Sequence, residues 1–203
     1  MAGRTARDSI AGFETMIGME LGAAARERTK LLSMDVRDME SVTRIKDRIV
    51  SQHGPLSILV NNAGLYLEPN TSPAVFPGQA KQILDTNYWG TKNVITAFSP
   101  NLTPHSRVVN ITSNPAHSHA SLEEADARAA TKERFDAVGN ECELDGLMMK
   151  FQRDVDSGRW AGEGWPGCAY SVSKLAINAY TRLLQDQFDT EGREDCVVNA
   201  VYP

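Results

Sequence analysis

The chain has 203 residues, of which 41% are hydrophobic and 23% are charged, and its formal net charge is −5. These values predict one soluble globular domain with a sizeable core. They argue against nucleic acid as a partner, because a phosphate-binding face needs a basic excess. No apolar run is long enough to span a membrane. The N-terminus lacks the apolar core of a secretory signal.

The cysteines point in the same direction. Cys142, Cys168 and Cys196 are odd in number and show no spacing typical of metal ligands. We therefore expect a cytoplasmic protein with reduced thiols, no metal site and no membrane partner.

Helical and strand patterns alternate along the chain, which predicts an α/β domain with a mostly parallel sheet. In chain order we expect a helix over 9–27, a buried strand over 30–36, a helix over 39–52 ended by Gly54-Pro55, a strand over 56–60, a long helix over 79–98, a strand over 107–113, a helix over 168–188 and a last strand over 196–202. The pattern assigns residues 1–203 to one domain.

An insertion at about 114–165 interrupts the alternation. More than fifty residues separate Ser113 from Tyr170, far beyond the usual connection between such elements. The stretch 121–156 is charged and contains Ala, Leu and Met, which predicts short helices. Two interpretations stay open: a lid that shapes a substrate site, or a surface excursion. Trp160 and Trp165 would suit an apolar pocket that tolerates aromatic substrates, although core packing would also explain them.

Tyr170 and Lys174 are the most informative pair in the chain. On a helix, side chains four residues apart lie on the same face. A cation close to a phenol favours the phenolate, which makes the tyrosine a better proton donor at neutral pH. The spacing alone is weak, since Tyr and Lys also occur together on solvated helix faces.

Other polar residues precede this pair in a regular order. Asn61-Asn-Ala-Gly64 follows one predicted strand, Asn87 lies within the long helix, and Ser113 ends another strand. In an open parallel sheet, ligands bind beyond the carboxyl ends of the strands. We therefore expect these residues and the helix that carries Tyr170 to converge on one cleft.

This order resembles the short-chain dehydrogenase/reductase family, over nearly the whole chain. Three further runs are similar to the monomeric carbonyl reductases within it: Asp85-Thr-Asn-Tyr-Trp-Gly-Thr91, Arg107-Val-Val-Asn-Ile-Thr-Ser113 and Glu163-Gly-Trp-Pro-Gly-Cys-Ala-Tyr170. The resemblance implies reduction of small carbonyl compounds (aldehydes, ketones or quinones) by NADPH. It also implies a monomer, because the insertion in those enzymes covers the helical surface through which relatives associate.

The resemblance implies a role for each catalytic residue. Tyr170 would give a proton to the carbonyl oxygen, and Ser113 would hydrogen-bond the same oxygen. Lys174 would tune Tyr170 and hold the nicotinamide ribose. Asn87 would hold a water that links Lys174 to solvent.

The same resemblance implies the NADP(H) contacts. Asp35 and Val36 would lie at the adenine, although Asp35 could instead cap the helix that starts at Met39. Arg7 would pair with the 2′-phosphate, or be only an exposed terminal arginine. The remaining cofactor-lining residues would be Asn62, Ala63 and Gly64, together with Tyr170 and Lys174.

The family's glycine-rich phosphate loop does not precede these elements, and Gly18 and Gly22 lie inside a helical pattern instead. We therefore expect an incomplete Rossmann-type doubly wound sheet that lacks the first strand, the glycine-rich loop and the final strand. For this polypeptide we expect weak NADPH binding or none. One alternative is a catalytically inactive truncated isoform that acts as a binding or regulatory remnant. A sugar-nucleotide epimerase, which shares the Tyr-x-x-x-Lys pattern, is a weaker alternative, because neither Asn61–Gly64 nor the insertion suggests it.

Overall fold

The structure is a computed structural model that describes residues 28–113 and 122–202. The chain divides into two compact units, residues 1–35 and 36–203. In the first unit, the described residues 28–35 are irregular, and the predicted helix over 9–27 lies outside the described part. The predicted strand over 30–36 is wrong: the described sheet does not include it. A short apolar run becomes a strand only where a neighbouring strand offers backbone partners.

The second unit is built on a parallel sheet. Its described strands are β1 (Leu56–Asn61), β2 (Leu102–Ile111) and β3 (Val197–Val201), in the order β1-β2-β3. Leu59, Val108 and Val198 are buried on one face of the sheet. The α/β parallel architecture expected from the sequence is confirmed. Strand β2 begins five residues before the predicted start at Arg107.

Helix α1 (Met39–His53) is bounded by signals that the sequence contains. Asp38, rather than Asp35, is its N-cap residue, and the Asp38 carboxylate accepts from the backbone N–H of Glu40 at 3.0 Å. Gly54 ends the helix with a φ of 78°, a conformation that glycine adopts without steric cost. The helix predicted over 39–52 is therefore confirmed, and the interpretation of Asp35 as its cap is wrong.

The long helix predicted over 79–98 begins earlier and is interrupted. It consists of α2 (Phe76–Leu84), a π-helical turn (Asp85–Trp89) and α3 (Gly90–Phe98), followed by a 3₁₀ turn over Ser99–Asn101. A π turn inserts an extra residue into the helical repeat and is frequent at functional sites. The predicted site residue Asn87 lies in this turn.

Glycine is required where α3 begins. A Cβ atom at Gly90 would lie 2.6 Å from Cγ2 of Val36. That distance is a steric clash, so the segment after Asp35 can pack against α3 only because residue 90 has no side chain.

The insertion folds into two helices that are longer than the short helices expected, α4 (Leu122–Asp136) and α5 (Glu141–Asp156). Asn140 caps α5 by accepting from the backbone N–H of Glu143 at 3.0 Å, and the Glu143 carboxylate accepts from Gly139 N at 2.8 Å. A capping box would have the Glu143 carboxylate accept from the backbone N–H of Asn140 itself, so this helix start is a variant in which the residue before the cap is the donor. Helix α5 packs against α2 and α6 (Ala169–Thr190), and α4 packs against α6.

Candidate active site

The carboxyl ends of β1 and β2 lie side by side. Asn61 is paired with Asn110 in the sheet register, so the exposed turn Asn62–Gly64 and the half-buried Ser113 follow neighbouring strand ends. Two predicted site segments therefore leave the sheet at the same edge, where α/β proteins bind ligands.

A chain of buried hydrogen bonds fixes this edge. The Asn61 amide donates to Asn110 Oδ1 at 2.8 Å, and the Asn110 amide donates to Thr181 Oγ1 at 2.9 Å. The Thr181 hydroxyl donates in turn to Ile177 O at 2.8 Å. Because buried polar side chains cost free energy unless they are paired, this chain specifies the register of β1 on β2 and the position of α6 below them.

The side chain of Asn87 is 1% exposed and fully engaged. Its Oδ1 accepts from Leu65 N at 2.7 Å, and its Nδ2 donates to Leu65 O at 3.0 Å and to Ser173 Oγ at 3.0 Å. The π turn is thus tied to the segment that follows Gly64 and to α6. The backbone carbonyl oxygen of Asn87 accepts from the Thr91 hydroxyl at 2.8 Å.

Lys174 reaches from α6 to the end of β2. Its Nζ donates to Ile111 O at 2.7 Å, two residues before Ser113. Burial lowers the pKa of Lys174, because a desolvated ammonium loses its hydration. An ammonium has three N–H donors, and Ile111 O is its only hydrogen-bond acceptor within the described residues. Lys174 therefore retains donors for a further polar group.

Gly64, Asn87 and Lys174 converge in space. A Cβ atom at Gly64 would stand 3.6 Å from Lys174 Nζ and 3.7 Å from Asn87 Oδ1. The turn after β1, the π turn and α6 therefore meet at one point, as the motif order predicted.

Tyr170 lies beside this point in the first turn of α6. Lys174 Nζ is 5.5 Å from the centre of the Tyr170 ring, so the two side chains share a helix face as their spacing predicts. The Tyr66 ring meets the Tyr170 ring edge to face at 5.2 Å between centroids. Tyr66 is 52% exposed and was not predicted, because a single loop tyrosine has no sequence signature.

The predicted adenine-end residues are only partly within the described part of the chain. Val36 is half-buried, and its carbonyl oxygen accepts from the Asn93 amide at 3.0 Å. Asp35 belongs to the first unit and is exposed. Arg7 lies outside the described residues. The cofactor roles of Arg7, Asp35, Val36, Asn62, Ala63 and Gly64 stay predictions.

A buried cation joins the insertion to α3. Lys92, 7% exposed, pairs with Asp145 at 2.5 Å and with Glu141 at 2.6 Å on α5. The Tyr88 hydroxyl donates to the same Asp145 carboxylate at 2.7 Å. The Lys92 ammonium also lies 5.4–5.5 Å from the ring centres of Tyr88, Trp89 and Tyr180, within cation–π range. We name these residues the Lys92 cluster: Tyr88, Trp89, Lys92, Glu141, Asp145 and Tyr180.

The two tryptophans of the insertion are packing residues. Trp165 is 1% exposed, contacts the Phe135 and Phe151 rings, and donates from Nε1 to Asp154 at 2.9 Å. Trp160 contacts the Phe76 ring at 5.2 Å. The pocket interpretation of Trp165 is therefore wrong, and core packing explains its position.

The matching family model covers residues 13–134 and is that of the short chain dehydrogenases. Carbonyl reductase [NADPH] 1 of Rattus norvegicus is 32% identical over 200 residues, which span 98% of this chain and 70% of the relative. The chain belongs to the short-chain dehydrogenase family. By resemblance it is an oxidoreductase, and the family membership expected from the sequence is confirmed.

Two further comparisons agree with that assignment, and a third agrees in fold. Carbonyl reductase [NADPH] 3 of Mus musculus is 34% identical over the same shares of the two chains, 98% and 70%. Among solved structures, menthone neomenthol reductase from Mentha piperita matches with a TM-score of 0.77 and 27% identity, over 95% of this chain and 76% of that one. Salutaridine reductase from Papaver somniferum matches in fold, with a TM-score of 0.72 and 24% identity, over 95% and 74%.

Residues 28–113 and 122–202 contain no membrane-spanning helix and no metal-binding cluster. No helix there is long and apolar enough to cross a membrane, and no group of three or more His, Cys, Asp or Glu side chains could hold a metal ion. Cys142 is exposed, whereas Cys168 and Cys196 are buried, and all three thiols are free.

Proposed function

We propose that this site reduces small carbonyl compounds (aldehydes, ketones or quinones) to alcohols with NADPH. The observation that carries the proposal is the convergence of Gly64, Asn87 and Lys174 beside the Tyr170 ring. The names of the carbonyl reductases that resemble this chain support both the reaction and NADPH as the cofactor.

The described donors fit the ribose end of such a cofactor. Lys174 holds an ammonium with donors to spare beside the open turn at Gly64, and Asn62 and Ala63 are exposed in that turn. Glycine at position 64 permits close approach of a ligand to the backbone. NADPH, when bound, would supply the hydride that reaches the carbonyl carbon.

The chain's own residues would handle the proton and the oxygen. Tyr170 would donate its hydroxyl proton to the carbonyl oxygen as the alcohol forms, and Ser113 would hydrogen-bond that oxygen and orient it. Lys174 would hold the ribose hydroxyls while its charge favours the tyrosinate left after proton transfer.

Asn87 would act differently from the role that the family resemblance implies. Its side-chain amide is occupied by Leu65 and Ser173. We therefore propose that the amide shapes the turn after Gly64 rather than holding a water.

We also propose that the protein is a monomer. The insertion helices α4 and α5 lie on α6 and α2, and the ion pair between Lys92 and Asp145 joins α5 to α3. Surface that helices α2 and α6 would otherwise offer to a second copy is covered within the chain.

The test is turnover in the wild type and in Tyr170→Phe, measured as NADPH oxidation with a quinone and with an aldehyde. NADPH binding is titrated first by fluorescence, so that both proteins are assayed near saturation. We expect Tyr170→Phe to lose at least about 100-fold in kcat, the lower range for removal of a general acid. Tyr202→Phe is the matched control, because Tyr202 is exposed and is the last residue that the structure describes. This variant should keep the wild-type kcat.

Turnover that survives Tyr170→Phe would contradict the assignment of the acid. Failure of the wild type to bind NADPH in the titration would contradict the reductase proposal for this polypeptide and would support the alternative, an inactive binding or regulatory remnant.

A further inference from the structure

Ser173 carries a hydroxyl that the proposed reaction does not use. It lies in α6 between Tyr170 and Lys174, and its side chain is 0% exposed. The hydroxyl donates to Tyr170 O at 2.7 Å and accepts from Asn87 Nδ2 at 3.0 Å. Both hydrogen-bonding directions of the hydroxyl are thus used within the protein.

We propose that Ser173 is a positioning residue that locks the Tyr170 end of α6 to the Asn87 amide, and through it to the turn after Gly64. This inference rests on the proposed function, because it assigns Ser173 to the same site. Ser173 itself does not touch the reacting atoms.

The first step of the reasoning concerns Asn87. Its amide forms two bonds with the backbone of Leu65, and the bond to Ser173 is its third. The Leu65 bonds fix the segment between Gly64 and Tyr66, whereas the Ser173 bond is the one that reaches α6. Without the hydroxyl, one amide hydrogen of a buried side chain would have no acceptor, which costs free energy unless the amide moves.

The second step concerns what lies around the amide. Asn87 Oδ1 and Lys174 Nζ both stand less than 4 Å from the position of a Cβ atom at Gly64. A rotation of the amide would therefore alter the surface presented to Lys174 and to any ligand above Gly64. Displacements of about 1 Å at such a site can reduce the rate about 100-fold.

The third step concerns helix energetics. Serine hydroxyls that donate to the preceding turn compete with the helix backbone and slightly destabilise it, and alanine is the better helix former. A fully buried serine at this position is thus disfavoured by the helix alone. The serine is instead explained by its hydrogen bond with Asn87, which alanine could not form.

The experiment compares Ser173→Ala with Ser173→Thr, which keeps the hydroxyl, and with Ser171→Ala. Ser171 is also buried in α6, so its variant removes a hydroxyl from the same helix without touching Asn87. Steady-state kinetics with NADPH and an aldehyde gives kcat and KM, and thermal unfolding confirms that each variant is folded. A second readout is hydrogen exchange of the Asn87 side-chain amide by NMR, which needs no activity.

For Ser173→Ala we expect kcat to fall about tenfold, the change that one net hydrogen bond represents. KM and NADPH affinity should change by less than about twofold, since a positioning residue acts on the reacting geometry rather than on ground-state binding. Exchange at the Asn87 amide should accelerate about tenfold, for loss of one bond. Ser173→Thr should restore both values, and Ser171→Ala should change neither.

Two results would overturn the inference: wild-type kcat in Ser173→Ala, or unchanged exchange at the Asn87 amide in that variant. If the wild type itself reduces no carbonyl compound, the proposed function fails on that ground. The amide exchange would then still decide whether Ser173 holds Asn87.

Discussion

At the residue scale, the site combines a half-buried phenol with a buried ammonium. Sequence spacing predicted that Tyr170 and Lys174 share a helix face, because an i, i+4 relation fixes their direction. Spacing could not show that Lys174 would also bond Ile111 O at 2.7 Å, because that contact joins elements more than sixty positions apart. The desolvation of Lys174 follows from this tertiary contact.

Lys174 should reduce stability while it serves the site. Burial lowers the pKa of Lys174 in the folded state from the usual 10.5. Folding at neutral pH therefore disfavours the charged ammonium. The free energy of unfolding should rise as the pH approaches 10.5, because the unfolded chain then also loses this proton. We expect Lys174→Met to keep the wild-type Tm or raise it by up to about 4 °C, which is roughly 1 kcal/mol for a chain of this size. The same variant should lose at least about 100-fold in kcat, as for loss of a group that supports the acid.

Calorimetry and NADPH-oxidation assays on the same preparations check this prediction. Lys132→Met, in an exposed ion pair with Asp136, is the matched control and should change neither quantity. A large fall in the Tm of Lys174→Met would mean that the ammonium contributes to the stability of the fold.

The burial of Tyr180 leads to a prediction about the stability of the protein at high pH. Burial, with Glu141 and Asp145 nearby, raises its pKa above the usual 10.0. The folded protein therefore keeps the phenol neutral where the unfolded chain ionises. Stability that is present below pH 10.0 should be lost as the pH rises above it.

We expect Tyr180→Phe to weaken this alkaline loss by about 1.4 kcal/mol per pH unit, the slope of one titrating group. Urea unfolding between about pH 9 and 11 measures it, on either side of the ordinary tyrosine pKa. Exposed Tyr202→Phe serves as the control. An identical slope in Tyr180→Phe and wild type would contradict the assignment.

At the element scale, the sequence predicted most boundaries. Helix α1 matches its prediction because Asp38 and Gly54 are local signals, and β1 matches because an apolar run is followed by polar turn residues. The strand predicted over 30–36 failed because strand formation depends on partners elsewhere in the chain. The π turn at Asp85–Trp89 was also missed, since no residue type marks a π turn and its register depends on the contacts of Asn87 and Tyr88.

The Lys92 cluster explains how helix α5 of the insertion is held against α3. Its acidic residues lie on α5 and its cation lies on α3, so the two helices are joined only in the folded protein. Sequence reasoning could not pair them, because opposite charges are common on solvated helices. The cation–π contacts and the Tyr88 bond to Asp145 add to the ion pair.

Removal of one partner should destabilise this junction strongly. We expect Asp145→Ala to lower the free energy of unfolding by about 3 kcal/mol, because it leaves the buried Lys92 ammonium with less compensation. Lys132→Ala, which removes an exposed pair on α4, should cost less than about 1 kcal/mol. Urea denaturation measures the free energy of unfolding of both variants. Equal losses in the two variants would show that the Lys92 cluster contributes no more to stability than an exposed ion pair.

At the scale of the whole molecule, the motifs were more predictable than the network that holds them. Order and spacing predicted Asn61–Gly64, Asn87, Ser113, Tyr170 and Lys174 as site residues, and the parallel strands place Asn61–Gly64 and Ser113 at one edge of the sheet. The Asn61–Asn110–Thr181 chain was not found, since each residue alone is an ordinary polar side chain. It emerges only when β1, β2 and α6 are assembled.

The most direct test of the central claim is the fate of the hydride. Wild-type protein is incubated with an aldehyde and NADPH deuterated at the reactive carbon, and the alcohol is analysed by mass spectrometry and NMR. We predict that the alcohol carries one deuterium on the former carbonyl carbon. With Tyr170→Phe, little of this deuterated alcohol should form. If the titrated protein binds NADPH but forms no deuterated alcohol from any aldehyde or ketone and no hydroquinone from a quinone, the site is not a carbonyl reductase.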